Sequence, residues 1–399
     1  MARKDDEQDS WLRDRDAPDD GKVGFAELFF DLIFVFTVIQ LSHTLAGHYS
    51  PLGVVEAVVM IFAVWWVWID TTWATNWLDP DRLPVRGMLF VLMFGGLLLS
   101  ASIPDAFGAK GLMFALAYVS MQVGRSLFTL YALRRRDRRN YRNFQRITCW
   151  LVFSGLFWIA GGLAEQEVRL ALWLMALFID YLSAAVGFPV PGLGRSTVED
   201  WNVSGSHMAE RCALFVIICL GETILVTGRT FAEMPFTVLT LVQFAGAFLA
   251  TVTLWWIYFQ FGHEKAAERI EESDQPGDIA RRVFTYAHIP IVAGIILSAV
   301  AVEFMLAHPH GHTDFKAASA MIGGPAVFLL GNIWFKWAVY GRMPLSHQIG
   351  LGILAALVVT VPFVEPFVLF FETVAALMVV AGWEYWSLQS SKPAEQVDG

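Results

Sequence analysis

Apolar residues run through this chain in long blocks divided by short polar connections. A helix needs about 20 such residues to cross a bilayer. Twelve blocks of that kind lie near 25–46, 53–75, 86–105, 111–133, 146–163, 168–187, 207–228, 236–261, 282–306, 316–340, 347–364 and 366–388. They are too long and too uniformly apolar for the alternating ~10-residue strands of a membrane barrel, so the pattern predicts helices. Only Val364-Glu365-Pro366 separates the last two blocks. The first 22 residues carry eight acids and five bases and almost nothing apolar, which predicts a disordered, solvated tail over 1–22. This tail lacks the basic start and short apolar core of a signal peptide, so the first block acts as its own uncleaved insertion signal.

Composition agrees with the pattern. Charged residues make up 16% of the chain and hydrophobic ones 56%, against about 25% charged in soluble proteins. The expected class is an all-α polytopic membrane protein of about twelve transmembrane helices. The net charge of −9 is concentrated in loops and tails and does not indicate a basic partner. Cys149, Cys212 and Cys219 stand at the start of, or within, apolar blocks and read as small core hydrophobes without a disulfide framework. Lys and Arg number 21 on the side of the N-terminus and four (Lys110, Arg169, Arg229 and Lys316) on the other. That asymmetry puts both termini in the cytoplasm. The arginine-rich loop from Arg134 to Arg146 lies beside anionic lipid in this topology, which favours topogenic and lipid-binding roles over nucleic acid.

The blocks also repeat. Val64-Trp65-Trp66-Val67-Trp68-Ile69-Asp70 resembles Leu254-Trp255-Trp256-Ile257-Tyr258-Phe259-Gln260. Asp180-Tyr181-Leu182-Ser183 resembles Glu384-Tyr385-Trp386-Ser387, and Gly124-Arg125-Ser126-Leu127-Phe128 partly matches Gly331-Asn332-Ile333-Trp334-Phe335. Glu27 then takes Glu210 as its counterpart. Six spans per unit is even, so the expectation is two parallel six-helix repeats, 23–187 and 207–388. A cytoplasmic linker at 188–206 would join them, and a tail at 389–399 would follow.

The candidate chemistry lies in the charges inside the blocks. Glu27 and Asp31 sit four apart and share a helix face. An acid facing hydrocarbon costs about 2.5–3.5 kcal/mol on insertion scales, so that face must turn to protein or water. Glu27, Asp31, Asp70, Arg125, Asp180, Glu210, Arg211, Lys336 and Glu384 all fall in the cytoplasmic half of the predicted bilayer. Two readings stand side by side. One is an ion-pair network fixing helix register, with Arg125 or Arg211 clamping Asp31 or Glu27. The other is a cation or proton pathway. His207, Arg211 and Glu222 share a face of the seventh block. Glu222 has no base nearby in sequence, which favours a neutral, proton-carrying form or a hydrogen bond across helices. His308, His310 and His312 alternate in an external loop; they resemble a surface metal site, but the run is short and reads first as a polar loop. The tryptophans of the second block read as interfacial belt and packing, with Trp65 and Trp66 as cation–π neighbours of Arg125. There is no P-loop, dinucleotide fingerprint, zincin motif or nucleophile elbow. No cofactor, metal or enzymatic activity is expected.

The segment Glu27-Leu28-Phe29-Phe30-Asp31-Leu32-Ile33-Phe34-Val35-Phe36, followed by Gln40-Leu41, resembles the signature of the bacterial low temperature requirement protein A family. His207-Met208-Ala209-Glu210-Arg211 through to Leu220-Gly221-Glu222 resembles the same family's second segment. The resemblance covers essentially the whole chain. It implies a multi-pass protein of the bacterial inner membrane but no biochemical activity. The expected function is a transporter or channel for a cation or small solute, with proton coupling as an option. The alternative is a non-transporting membrane stress or binding module, or an intramembrane enzyme acting on lipid.

Overall fold

A computed structural model describes residues 10–14, 21–197, 200–201, 203–260 and 276–389. Most of the expected tails at 1–22 and 389–399 lies outside these residues. The described chain is helical, without strands beyond two isolated bridges. Its main helices are α1 (Phe25–Gly47), α2 (Pro51–Trp77), α3 (Leu83–Ser102), α4 (Gly111–Leu133), α5 (Arg138–Leu163) and α6 (Gln166–Ala185). They continue with α7 (Gly205–Glu233), α8 (Val238–Phe259), α9 (His288–Ala307), α10 (Phe315–Tyr340), α11 (Leu345–Leu357) and α12 (Pro366–Gln389). A short helix at Pro276–Ala280 and a π-helical turn at Arg281–Tyr286 lead into α9.

Among the described residues, ten helices are long and apolar enough to cross a membrane, rather than the twelve expected. The segment Gly277–Ala307 counts as one of them. Helix α4 is long enough, but Gln122 and Arg125 dilute its apolar character. Helix α11 has 13 residues and is too short. Local chemistry sets the helix starts. Ser50 accepts the Gly53 N–H at 3.0 Å ahead of Pro51, Asp137 accepts the Arg139 and Asn140 N–H groups, and Asp314 accepts that of Ala317 at 2.8 Å. Gly341, at φ 67°, ends α10. Large apolar side chains such as Val91, Phe94 and Leu156 point outward, as expected of surfaces that meet lipid tails.

The chain forms two compact units. The first contains the residues up to Ile218 together with the segment ending at Thr285; the second starts at Cys219 and resumes at Tyr286. The boundary therefore runs through α7, not ahead of it at 207 as the repeat reading expects, and the two-repeat arrangement is not shown. The N-terminal segment also differs from expectation. Trp11 stacks on Phe128 with ring centroids 5.4 Å apart, and Leu12 forms a bridge with Leu78. The Arg13 N–H donates to the Trp77 carbonyl at 2.8 Å. Residues 10–14 thus lie against the helix ends through Trp11, Leu12 and backbone bonds to Trp77 and Asp79.

In the second unit, α9 and α10 pack backbone to backbone through small residues. A Cβ on Gly294 would collide with the backbone of Phe328, and one on Gly331 with the backbone of Ile291. Gly294→Ala and Gly331→Ala should each lower the thermal unfolding midpoint in detergent, by the overpacking cost of about 1–3 kcal/mol. Gly352→Ala, with open space around the glycine, should leave the midpoint unchanged or raise it.

Candidate functional site

Three helices of the first unit each contribute side chains at four-residue spacing: Glu27 and Asp31 from α1, Trp68, Thr72 and Asn76 from α2, and His207 and Arg211 from α7. These positions stack on one face of each helix, so the three faces mesh as a ladder. In the lower rung, His207 Nε2 lies 2.9 Å from Glu27 Oε1, and His207 Nδ1 lies 3.2 Å from Asn76 Nδ2. In the upper rung, Arg211 Nη1 donates to Asp31 Oδ2 at 2.8 Å and Nη2 reaches Thr72 Oγ1 at 3.5 Å. Trp68 Nε1 donates to Asp31 Oδ1 at 2.8 Å, and its ring lies 5.5 Å from the Arg211 guanidinium carbon. Arg211 Nε stands 4.0 Å from Glu27 Oε1, which ties the rungs together.

Donor and acceptor accounting fixes the imidazole state. The Ser204 N–H donates to Asn76 Oδ1 at 3.0 Å, so Asn76 Nδ2 is the donor side of the amide. It gives one proton to the Ser204 carbonyl and one to His207 Nδ1. His207 therefore carries its proton on Nε2 and donates it to Glu27. Glu27 also accepts the Gly24 N–H at 2.9 Å and Arg13 Nη2 at 3.0 Å. Two arginines, two carboxylates and a neutral imidazole sum to zero charge. His207, Arg211 and Glu27 are at 0% exposure and Asp31 is buried, while Arg13 is half-buried at the end of the ladder. The arrangement meets the requirement that charges inside a membrane protein be paired and hydrogen-bonded.

Other candidates fall elsewhere. Glu210 is exposed and accepts the Val23 N–H at 3.3 Å. One residue from Ala209, it faces away from the ladder, so it does not share the environment of its supposed counterpart Glu27. Arg125 pairs with neither Glu27 nor Asp31 but with Asp70, at 3.3 Å, and among the described residues the cation–π partner of Trp68 is Arg211. Asp180 accepts the Tyr118 hydroxyl at 2.8 Å and the Trp158 indole N–H at 3.1 Å. In the second unit Glu222 is buried, and Glu384 pairs with Lys336 beside His347. His310 Nδ1 lies 2.8 Å from Glu365 Oε2 in an exposed loop, and this hydrogen bond holds the Glu365 carboxyl below its ordinary range. No group of three potential metal ligands occurs among the described residues.

Beside Asp70 and Arg125 the first unit opens into a cavity of about 500 Å³. Trp66, Trp73, Trp77 and Trp201 form an aromatic wall, and Thr285 adds a hydroxyl. Thr285 is itself fixed by the indole N–H groups of Trp65 and Trp73. The segment expected to be a plain linker closes one side. Its Asp200 accepts Arg139 Nε at 3.0 Å, Arg146 Nη1 at 3.2 Å and the Thr197 N–H at 2.9 Å. Sequence reading passed over Arg13, Asn76, Thr72 and Trp201. The first lies in a tail and the last in a linker. Trp68-x-x-x-Thr72-x-x-x-Asn76, however, repeats the spacing of Glu27-x-x-x-Asp31 and His207-x-x-x-Arg211, and that shared period was a readable signal.

Ten candidate spans, exposed apolar faces and a neutralised charge ladder at helix contacts make this a polytopic helical membrane protein. The chain belongs to the bacterial low temperature requirement A protein (LtrA) family, whose model matches residues 22–382. It is 47% identical over 380 residues to an uncharacterized protein of Rhizobium meliloti (strain 1021), covering 95% of this chain and 92% of that one. No solved structure matches it.

Removing one partner of a buried pair strands the other charge at a cost of about 3–5 kcal/mol. Arg211→Met should therefore sharply lower the yield and thermal stability of the folded protein. Adding Asp31→Asn to Arg211→Met should recover part of the loss, and a double-mutant cycle on unfolding midpoints reads the coupling. Asp200 supplies a pH test. Burial alone would raise its carboxyl, but the Thr197 N–H and the two arginines outweigh burial and hold it below the ordinary value. Its stabilisation is then complete above the unfolded value of about 3.9 and is lost as pH falls through the lower folded value. Hydrogen exchange over 187–201 should rise in that acid window, and Asp200→Asn should remove the step.

Proposed function

We propose that the protein is a transporter or channel for a small solute or cation, and that the solute is held in the cavity beside Asp70 and Arg125. The observation that carries this reading is a cavity of about 500 Å³ that reaches a partly exposed carboxylate on a spanning helix. A purely structural bundle has no use for an ionisable group kept in contact with water inside the membrane. Within this reading the ladder of Glu27, Asp31, His207 and Arg211 holds helix register rather than carrying ions, since every one of these groups is buried and engaged. The membrane is the bacterial inner membrane with both termini in the cytoplasm. The bias of 21 to four basic residues supports this. The cavity then opens on the cytoplasmic side, where the residues that follow α6 line it.

Purified protein in liposomes should accelerate the flux of at least one member of a panel of alkali cations, amines, amino acids and protons under an imposed gradient. Asp70→Asn should abolish that flux in protein that still elutes as a folded species. Absence of flux across the whole panel would overturn the proposal in favour of a non-transporting membrane module.

A further inference from the structure

We infer that the cavity's solute is a monovalent organic cation with a flat apolar part. This inference rests on the reading of the cavity as the solute site. The first observation is the orientation of the buried pair. The Asp70 side chain is 22% exposed and that of Arg125 is 3% exposed, so the acid faces the water and the base stands behind it. Arg125 is also used up. Its Nη1 donates to the Val67 carbonyl at 3.2 Å and to Thr71 Oγ1 at 3.0 Å, and its Nη2 donates to Asp70 and to Gln122 Oε1. No N–H on either terminal nitrogen remains to grip an anion. On Asp70, Gln122 Nε2 and Arg125 Nη2 both go to Oδ2, and neither goes to Oδ1.

The lining carries three arginines against two aspartates, so the preference for a cation is local to Asp70 and its aromatic neighbours. Arg281 donates to Asp278 and to the Ala184 carbonyl, and Asp278 is paired with Arg282 as well. Arg195 is exposed, where water and salt screen it.

The second observation is the aromatic wall. Trp73 and Trp77 stack with centroids 6.1 Å apart, and Trp201 stands edge-on to Trp73 at 5.2 Å. Indole faces are negative and attract cations, preferably those that shed water easily. A volume of about 500 Å³ is in the range of small-molecule sites and far exceeds what an alkali ion fills. A carboxylate at one side and indoles at another match an ammonium group carried on a flat hydrophobic body.

The test uses the full chain in lipid nanodiscs and isothermal titration calorimetry. Benzyltrimethylammonium should bind, whereas phenylacetate, of similar shape and opposite charge, should not. Asp70→Asn should weaken the cation at least tenfold. Trp201→Ala, outside the spanning helices, should weaken it by about tenfold in protein that still elutes as a folded species. Phenylacetate binding as tightly as the cation, no cation binding by the wild type, or equal cation binding by Asp70→Asn would each overturn the inference. The transport reading fails separately. Cation binding without any flux removes transport and leaves the cation site standing. Flux of another solute class without cation binding does the reverse.

Discussion

The Arg211 guanidinium is the group around which the first unit is organised. It bonds Asp31 directly, approaches Glu27 at 4.0 Å and lies against the ring of Trp68. Each carboxylate would be expensive among lipid tails, and the arginine more so. With Arg13 bound to Glu27 and a neutral imidazole between, two arginines and two carboxylates form a group without net charge. Because the bonds come from residues four apart on three helices, they fix rotation as well as distance. A turn of α1 or α7 by one residue would carry both its polar groups off the shared face at once. Ladders of this sort specify register more strongly than apolar packing, since lipid tails compete for apolar contacts and cannot compete for these.

Asp70 shows that a membrane acid can be paired and still meet solvent. Asp31 and Asp70 each have an arginine, yet Asp31 is engaged through both oxygens in a sealed contact, and Asp70 takes its two donors on one oxygen at the edge of a cavity. The first arrangement seals its acid, and the second leaves its acid at the cavity wall. The aromatic residues divide in the same way: Trp65 and Trp68 spend their indole N–H groups on the fold, while Trp77 and Trp201 line the open space.

Much of this was legible in the chain. Block length and composition predict an all-helical membrane protein, and the cost of charge in hydrocarbon marks Glu27, Asp31, Glu210, Arg211 and Glu222 first; of these, Glu27, Asp31 and Arg211 meet in the ladder, Glu210 is exposed and Glu222 is buried in the second unit. Pairing was harder to read. Arg125 and Arg211 look equivalent by depth, and only the helix packing sends one to Asp70 and the other to Asp31. Glu210 is the counterpart of Glu27 in the repeat reading, yet it is exposed where Glu27 is buried; one residue along a helix turns a side chain by about 100°, enough to move it from core to surface. Asn76 and Thr72 were passed over because uncharged polar residues in an apolar block carry little weight until a partner is known. Trp201 could not be found because nothing local says which side of a bundle a linker covers.

The ladder also has a chronology. Glu27 finds Arg13 14 residues away, in a segment already synthesised when α1 appears. Asp31 has its first partner 37 residues later, at Trp68, and its counter-ion 180 residues later, at Arg211. At about 5–20 residues per second of synthesis, the interval is on the order of 10–40 s. For that time the first helix to enter the membrane holds an acid whose neutralising base has not yet been made. The opening helix must therefore wait in a wet or shielded place during biogenesis, and the arrival of the seventh helix, rather than its own insertion, completes its burial.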